Sequence, residues 1–433
     1  MKKTLAAIAA LMLAVLAIFA AQAEDLPRIS FAEEQIRAQS GDTVQLVLTA
    51  DAAPAQNVDI TIADGRGNKF SVVLPQGETQ AVLEVSGERA AYNKQYEYTI
   101  QASDSYRRGT VRRAQVVFKG VPMAKFSREM LQTYMGETLK IGFQMKGPQT
   151  LEKGQMIYLR DEQGQTVAEV AYTGREYYSV SLKMTADWRP MKTLTLHIGE
   201  DGPADSSLMV FVGDKSELSI VGVRRDDNKI SFTLDCGSTM QYASTVLDTL
   251  DRYNVKITFF VTGNFAVSHP DIVREFVARG HEIGNHSYHH PHLLDADLDT
   301  IWEEVTSASD LLEEITGVRP VLYRPPYGDS HGRVRAVVEG AGMRVIRWSH
   351  TLYDSDEAKQ ITGRSYYFAT KDITGGSIIL GHLDSKATVE ALPDILQWYQ
   401  DNGFEVVPVS ELLLQGDTTV DSEGYQIYRQ TAE

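Results

Sequence analysis

The sequence is poor in cysteine and in positive charge. Its 433 residues include a single cysteine, Cys236, so no disulfide can form within the chain and its domains depend on their hydrophobic cores. Cys236 is left as a free thiol, a metal ligand or a small buried residue. Lys and Arg number 42 against 58 Asp and Glu, which gives a formal net charge of −16. This balance argues against nucleic acid and anionic lipid as partners, because both require concentrated positive charge.

The length and the N-terminal residues indicate an exported protein of several domains. A chain of 433 residues exceeds one ordinary core and suggests two to four domains, and its 43% hydrophobic content is typical of soluble globular protein. Lys2 and Lys3 precede an apolar run over residues 5–20, and the segment AQA at 21–23 has the small-x-small pattern of a signal peptidase site. We expect a signal peptide over residues 1–23 and a secreted or cell-envelope protein that begins at Glu24. The alternative is an uncleaved membrane anchor.

Residues 24–218 alternate apolar and polar side chains in short runs, for example at 43–48, 58–62 and 81–85. This period-two alternation, broken by turn residues, predicts half-buried strands. The segment GDTVQL at 41–46 is echoed by GETLKI at 136–141, about one sandwich-domain length further along. We therefore predict two β-sandwich modules, at 24–120 and 121–218. The first loosely resembles immunoglobulin-like or Calx-beta modules.

The role of these two modules stays open at the level of sequence. They contain no cluster of residues with catalytic potential, which favours spacers that hold another domain away from the cell surface. The alternative is carbohydrate binding through aromatic side chains, for which the candidates are Tyr92, Tyr96, Tyr98 and Trp188. Aromatic residues at alternate positions more often fill a sandwich core.

Residues 219–433 show a different pattern, in which short β-rich runs alternate with longer helical ones. The predicted strands are 229–235, 256–261, 321–324, 343–349, 377–380 and 404–409, and the predicted helices are 241–253, 271–279, 297–316, 332–340 and 388–402. This alternation predicts a parallel sheet, and the number of units suggests a β/α barrel. Residues that follow such strands converge on one face, and here they are Asp235, His286, Arg324, Asp354 and His382. Their placement predicts an active site at that face.

Five short segments in this region also match a known family in order. They are TLDCG at 233–237, HSYHH at 286–290, RPPYG at 324–328, WSHTLYD at 348–354 and LGH at 380–382. The region from about 226 to 414 resembles the polysaccharide deacetylases with NodB-type homology, which are carbohydrate esterases that act on N-acetyl or O-acetyl groups. The resemblance implies a distorted β/α barrel that hydrolyses acetyl groups on an acetylated polysaccharide.

His286 and His290 are the candidate metal ligands. Two neutral imidazoles at this spacing lie within reach of one divalent ion, which would lower the pKa of a bound water towards ~7. His289 and His292 nearby show that a histidine in this stretch need not be a ligand.

The family resemblance implies roles for four residues around the attacking water. Asp235 would be the general base, and Arg324 would pair with it and keep it ionised. The backbone amide of Tyr327 would hold the oxyanion, on a loop that Pro326 makes rigid. From the residues alone, Asp235 could equally cap a following helix and Arg324 could belong to a surface turn.

The same resemblance implies that His382 protonates the leaving amine or alcohol and that Asp354 orients it and raises its pKa. The fourth segment departs from the family pattern, with Thr351 in place of an Asp and Ser355 in place of an aromatic residue. These departures put the tuning of His382 and the apolar wall near the acetyl group in doubt. His350 could compensate, although a packed histidine at a strand end is the simpler interpretation.

The first segment departs as well, because Cys236 stands where the family usually has its third metal ligand, an Asp. A His-His-Cys set with an open fourth position is a recognised zinc arrangement, so zinc is the predicted cofactor. The sequence thus predicts an exported metal-dependent hydrolase of a cell-wall or extracellular polysaccharide, with N-acetylglucosamine residues as the site of attack. The alternatives are a catalytically degraded glycan-binding protein and an O-acetyl xylan esterase.

Overall fold

The computed structural model describes residues 26–148, 150–215, 218–237, 239–355 and 361–429. The signal peptide predicted at 1–23, with Glu24 after it, lies outside the described residues. None of the helices in the described ranges is long and apolar enough to cross a membrane.

Residues 28–119 form two β-sheets around one core. Their strands are β1 (Arg28–Phe31), β2 (Gln35–Gln39), β3 (Thr43–Ala50), β4 (Val58–Asp64), β5 (Lys69–Leu74), β6 (Gln80–Ser86), β7 (Lys94–Ile100), β8 (Arg107–Arg108) and β9 (Arg113–Lys119). One sheet has the order β6-β3-β1-β8 and the other β2-β9-β7-β4-β5. β4 buries every second residue. Both sheets contribute to a single hydrophobic cluster, with Ile29 and Leu46 from the first and Ile60 and Val116 from the second.

Residues 123–213, which we call the second β unit, repeat this organisation. Their strands are β10 (Met123–Phe126), β11 (Met130–Tyr134), β12 (Thr138–Lys146), β13 (Met156–Arg160), β14 (Thr166–Ala171), β15 (Tyr177–Lys183), β16 (Met191–Ile198) and β17 (Ala204–Gly213), with a 3-10 turn at Ala186–Trp188. The sheets have the orders β10-β12-β15 and β11-β17-β16-β13-β14. Phe143 and Leu194 lie in the core that they share. The strands thus group by chain position as the predicted modules require, while the exact boundaries stay predictions.

Residues from 222 onward form an α/β unit. Its strands are β18 (Gly222–Val223), β19 (Lys229–Cys236), β20 (Thr258–Val261), β21 (Glu282–Asn285), β22 (Leu322–Tyr323), β23 (Arg344–Val345), β24 (His350–Thr351), β25 (Ile378–His382), β26 (Glu405–Val406), β27 (Thr418–Val420) and β28 (Tyr425–Tyr428). Its helices are α1 (Ala243–Arg252), α2 (Gly263–Ser268), α3 (Pro270–Ala278), α4 (Leu298–Thr316), α5 (Gly332–Gly340), α6 (Thr362–Thr370), α7 (Lys386–Asp401) and α8 (Val409–Leu412), with a 3-10 turn at Pro326–Gly328.

The main sheet of this unit is parallel and curled. Its order is β23-β22-β21-β20-β19-β25-β24, β26 pairs with the beginning of β19, and each of these ladders is parallel. The two outermost strands, β23 and β24, are close in the chain, so the sheet must bend round to bring its edges near each other. The described residues include no ladder between those two edges. The sheet is therefore an open, barrel-like layer, with β18, β28 and β27 forming a small separate sheet.

Sequence signals account for the ends of the longer helices. Asp297 precedes α4 and accepts a hydrogen bond from Thr300 N at 2.9 Å, and Gly317 ends the helix in a left-handed conformation with φ +75°. Ser385 caps α7 by accepting from Thr388 N at 3.3 Å. The apolar faces of these helices pack on the sheet, as the amphipathic pattern predicts.

The sequence-based helices of this unit are found, but its strands are found only in part, because the strand predicted at 343–349 is only β23 and several short elements are not predicted. The strand predicted at 404–409 is only β26, because Pro408 ends it and α8 begins at the next residue. β21, directly before His286, was not predicted as a strand, and neither α2 nor α6 was predicted as a helix.

Candidate active site

The predicted site residues follow neighbouring strands of the curled sheet. β22, β21, β20, β19 and β25 lie side by side in that order. Asp235 and His382 are register partners in the β19–β25 ladder, His286 N donates to Val261 O at 3.1 Å, and Arg324 N donates to Asn285 O at 2.9 Å. Since the strands are parallel, their carboxyl ends meet at one edge of the sheet. The polypeptide thus brings together groups that are up to about 150 residues apart in the chain.

Arg324 and Asp235 form a buried ion pair. Arg324 is fully buried, and its Nη1 donates to Asp235 Oδ1 at 2.8 Å and to Thr233 Oγ1 at 2.7 Å. Burial raises the pKa of Asp235, but the charge and hydrogen bond of Arg324, together with the nearby histidines, outweigh burial and hold that pKa below its ordinary value. Asp235 is not a helix cap, since α1 begins at Ala243, and Arg324 is not in a surface turn. The pairing that the resemblance implied is present.

His286 is fixed in one tautomer. Its Nδ1 lies 2.7 Å from Arg324 O. A carbonyl oxygen can only accept, so Nδ1 carries the hydrogen and Nε2 presents a lone pair. Burial lowers the pKa of His286 to about 4, and burial also lowers the pKa of His290. Both rings are therefore neutral near pH 7, as metal ligands must be.

These two imidazoles fit a divalent metal, but a third protein ligand is not grouped with them. The rings of His286 and His290 are 4.8 Å apart between centroids, and His286 Nε2 lies 3.4 Å from Asp235 Oδ2. Within the described ranges, no set of three or more His, Cys, Asp or Glu side chains is arranged to hold one ion. The structure thus offers the histidine pair alone, with the Asp235 carboxylate beside it.

Cys236 packs in the hydrophobic core. It belongs to the main apolar cluster of the α/β unit, with Ala243 and Leu247, and its thiol is 3.8 Å from Leu234 O. Successive residues of a strand point to opposite faces, so Asp235 and Cys236 are directed apart. Burial raises the pKa of the Cys236 thiol well above its ordinary value, which opposes the thiolate that zinc requires. The structure therefore favours the small buried residue among the alternatives, and the metal measurement described below tests zinc ligation by Cys236.

The loop after β22 places Tyr327 at the edge of the site. Pro326 is buried, and Tyr327 has φ +57°, a left-handed conformation that is uncommon for a residue with a side chain. The Tyr327 ring is 59% exposed, stacks on His292 at 3.8 Å and meets the ring of His290 at 4.8 Å. The loop thus adjoins the histidine pair, as the predicted oxyanion role of its backbone requires.

His382 and Asp354 form the second charged pair. His382 Nδ1 lies 2.8 Å from Asp354 Oδ1, and His382 N donates to Asp354 Oδ2 at 2.9 Å. Thr388 Oγ1 also donates to this carboxylate. Burial opposes the charge on His382, but the hydrogen bond and charge of Asp354 outweigh burial and raise the pKa of His382 to about 9. The ring is therefore held as an imidazolium with Nε2–H as its second donor.

The altered fourth segment leaves this pair intact. Thr351 lies in β24, and Ser355 ends the described segment there. His350 Nδ1 is 3.0 Å from Ser349 Oγ, and the carboxyl that influences its pKa is Asp372. Among the described residues, no hydrogen bond or ion pair joins His350 to His382. The idea that His350 compensates for the altered segment finds no support in these contacts.

Two carboxylates that sequence reasoning missed hold His289 and His292, which lie in and just after the second segment. Glu304 on α4 accepts from His289 Nδ1 at 2.6 Å, and Asp329 accepts from His292 Nδ1 at 3.1 Å. Each carboxylate thus fixes the orientation of its histidine through Nδ1. The acids are 15 and 37 residues from their histidines, so no local spacing signals these pairs.

The aromatic candidates of the first two units differ in exposure. Tyr98 and Trp188 are buried, and Tyr96 is half-buried with Arg66 over its ring at 4.4 Å. Tyr92 is 68% exposed, which makes it the candidate best placed to contact a glycan.

Comparisons with known proteins relate this site to one family. The family model described as polysaccharide deacetylase matches residues 222–346. The chain is 32% identical over 199 residues to a peptidoglycan-N-acetylmuramic acid deacetylase of Bacillus subtilis. This alignment covers 45% of this chain and 75% of that protein. It is 32% identical over 192 residues to a peptidoglycan-N-acetylglucosamine deacetylase of Listeria monocytogenes. This second alignment covers 43% of this chain and only 39% of that protein. A solved CE4 family pseudoenzyme from Bacillus anthracis has a TM-score of 0.44 at 24% identity and covers 46% of this chain and 70% of that chain.

We predict that Cys236→Ala keeps the metal content of the wild type. The Cys236 thiol lies in an apolar cluster, and burial raises its pKa. Its removal should therefore weaken core packing slightly without changing the histidine pair. Metal per chain is measured by mass spectrometry after reconstitution with zinc. His286→Ala is the positive control and should lose metal. Loss of metal in Cys236→Ala would instead establish the thiolate as a ligand.

We predict that the alkaline limb of the pH–rate profile is set by His382. Its pKa is raised to about 9, so the donor form is present below that pH and is lost as the pH rises through it. Asp354→Asn removes the charge that raises the pKa, and burial then dominates, so the limb moves to lower pH. An NMR titration of the His382 ring checks the same shift without turnover. Asp329→Asn, which removes the carboxylate from His292, should leave this limb in place.

Proposed function

Since this chain belongs to the polysaccharide deacetylase family of hydrolases, we propose that it removes acetyl groups from a cell-wall polysaccharide, at N-acetylglucosamine residues. One observation carries the proposal. Asp235 and His382 are partners across one ladder, the first held as a carboxylate and the second as an imidazolium. Acetyl hydrolysis needs a base for the attacking water and an acid for the leaving group. Two adjoining groups whose pKa values are shifted in opposite directions can supply both.

The substrate class rests on the relatives. The Bacillus subtilis and Listeria monocytogenes proteins are named for deacetylation of peptidoglycan, at N-acetylmuramic acid and N-acetylglucosamine respectively. This chain spans only 39% of the Listeria protein. The choice of sugar is therefore part of the proposal and is tested below.

The base acts through one oxygen. Asp235 Oδ1 is occupied by Arg324, which leaves Oδ2 as the oxygen that takes the proton of the attacking water. His286 and His290 would hold a divalent metal, zinc in the sequence-based prediction, and such an ion supplies a water of lowered pKa and Lewis acidity. Arg324 keeps Asp235 ionised while burial excludes bulk water from the pair.

His382 is the acid of the proposed reaction. His382 donates Nδ1–H to Asp354, so Nε2–H is the proton available to the leaving amine. The Tyr327 N–H stabilises the developing oxyanion, and the buried Pro326 keeps the turn that carries it in place. After the C–N bond breaks, Asp235 holds the proton from water and His382 has given its own to the amine.

Export, metal dependence and the β units belong to the same proposal. Export is supported by the leader predicted at residues 1–23. The shared core between the two sheets of each N-terminal unit supports the β-sandwich architecture. Tyr92 is the residue that would give the first of them contact with a glycan.

We predict that the mature protein releases acetate from chitin oligomers and peptidoglycan, and releases less from acetylated xylan. Asp235→Asn and His382→Ala should each lower kcat by about 100-fold or more, since each removes one general acid–base group. Both variants should retain the metal, because the histidine pair is intact. Acetate is quantified enzymatically after reconstitution with zinc, cobalt or manganese.

The controls separate the enzyme from a glycan-binding protein. Absence of acetate release with every metal would overturn the proposal, and retention on insoluble peptidoglycan would then identify a degraded, glycan-binding domain. Loss of metal in Asp235→Asn would show that Asp235 is a ligand and that the roles assigned here are mistaken.

A further inference from the structure

We propose that the second β unit is part of the catalytic apparatus, and that Phe211 and Trp302 are positioning residues for the loops of the active site. Two segments are concerned, the histidine loop (residues 286–293) and the arginine loop (residues 324–329). The inference rests on the proposed function for the meaning of those loops. It replaces the role of a spacer that the sequence suggested for this unit.

β17 is buried on both of its faces. Leu208, Val210 and Val212 point into the core of the second β unit. Phe211 points the other way and belongs to a hydrophobic cluster of the α/β unit, against which Met209 also packs. Alternate residues of one strand thus fill two different cores. A domain that served only as a spacer would present a polar face here.

The contacts across this junction are close. The ring of Phe211 lies 5.4 Å from that of Trp302 on α4. Gly340 of α5 has room for no side chain, because a Cβ there would be 2.7 Å from the Phe211 ring. At the other end of α5, a Cβ on Gly332 would be 2.5 Å from Tyr134 Oη. The second β unit is therefore packed directly against both α4 and α5.

α4 connects the junction at Phe211 to the histidine loop. Glu304, two residues beyond Trp302, accepts hydrogen bonds from Tyr288 N at 3.0 Å and His289 N at 2.8 Å. Asn285, the residue before His286, donates Nδ2 to Val305 O at 2.7 Å and to Ser309 Oγ at 2.8 Å. The residues on both sides of His286 are thus tied to α4, the helix that also carries Trp302 and its contact with Phe211.

The same cluster supports the arginine loop. Tyr323, which precedes Arg324, and Leu293, which ends the histidine loop, lie in the cluster that contains Phe211. Asp329 joins the two loops, because it accepts from Leu293 N and from His292 Nδ1, each at 3.1 Å. A change in how Phe211 fills this cluster should move the loops that carry the proposed metal ligands and oxyanion donor.

The test compares two equivalent substitutions in the full chain. Phe211→Leu loosens the contact with Trp302, whereas Phe143→Leu makes the same change in the second unit's own core, where Phe143 stacks on Tyr178 at 5.5 Å. We expect Phe211→Leu to lower kcat by about tenfold or more with KM unchanged, since displaced catalytic groups are costly even when binding survives. Hydrogen exchange in residues 285–293 should become faster. Phe143→Leu should change neither quantity.

A second pair of variants approaches the junction from α5. Gly340→Ala pushes a methyl group into the Phe211 ring and should act in the same direction as Phe211→Leu, although alanine favours a helix over glycine. Gly363→Ala in α6 is the matched control, because a Cβ there meets nothing within 4 Å. If Phe211→Leu does not fold, Trp302→Phe takes its place.

The proposal is overturned if Phe143→Leu impairs kcat and exchange as much as Phe211→Leu, or if Phe211→Leu and Gly340→Ala leave the histidine loop as protected as in the wild type. A wild-type protein that releases no acetate would contradict the proposed function instead. The exchange measurements would still decide whether the second β unit holds the loops.

Discussion

The burial of the Arg324 guanidinium is the constraint on which the site depends. A charge removed from water costs several kcal/mol unless partners replace its hydration, so the surroundings must provide them. Asp235 and Thr233 from β19 accept from Nη1, Arg347 O accepts from Nη2 at 3.2 Å, and the ring of Phe260 on β20 lies 4.0 Å from the charge. Nη1 and Nη2 thus have partners, while Nε is buried without a hydrogen bond among the described residues. These contacts hold the ends of three strands together, and the Arg324 carbonyl fixes the tautomer of His286.

The sequence allowed most of the site to be predicted, because parallel strands place distant residues at one edge. The predicted strands place Asp235, Arg324 and His382, whereas His286 is placed by the order of the motifs alone. β21 was missed because its four residues, EIGN, carry no clear alternation, and its neighbours β20 and β22 make it a strand. For Cys236 the motif was insufficient, because a position within a motif does not show which face of the strand the side chain occupies.

The role of β17 shows what a local pattern can and cannot specify. Its segment LMVFV at 208–212 is apolar without interruption, which is the pattern of a strand buried on both faces. The signal for a second contact was therefore in the sequence. The sequence did not identify the residue that Phe211 contacts, because Trp302 is 91 residues away along the chain. The pattern of its helix indicates only that one side is covered.

The pKa values of the buried His286 and the partly buried His382 are shifted in opposite directions, and their partners explain the difference. His286 faces a carbonyl oxygen, which fixes a hydrogen without stabilising a positive charge, and burial lowers its pKa to about 4. His382 faces the Asp354 carboxylate, and its pKa rises to about 9. Asp235 contributes to that rise, while the charge of His382 in turn lowers the pKa of Asp235. The carboxylate and the imidazolium thus reinforce each other's charge across a single ladder, in addition to the larger effects of Arg324 and Asp354.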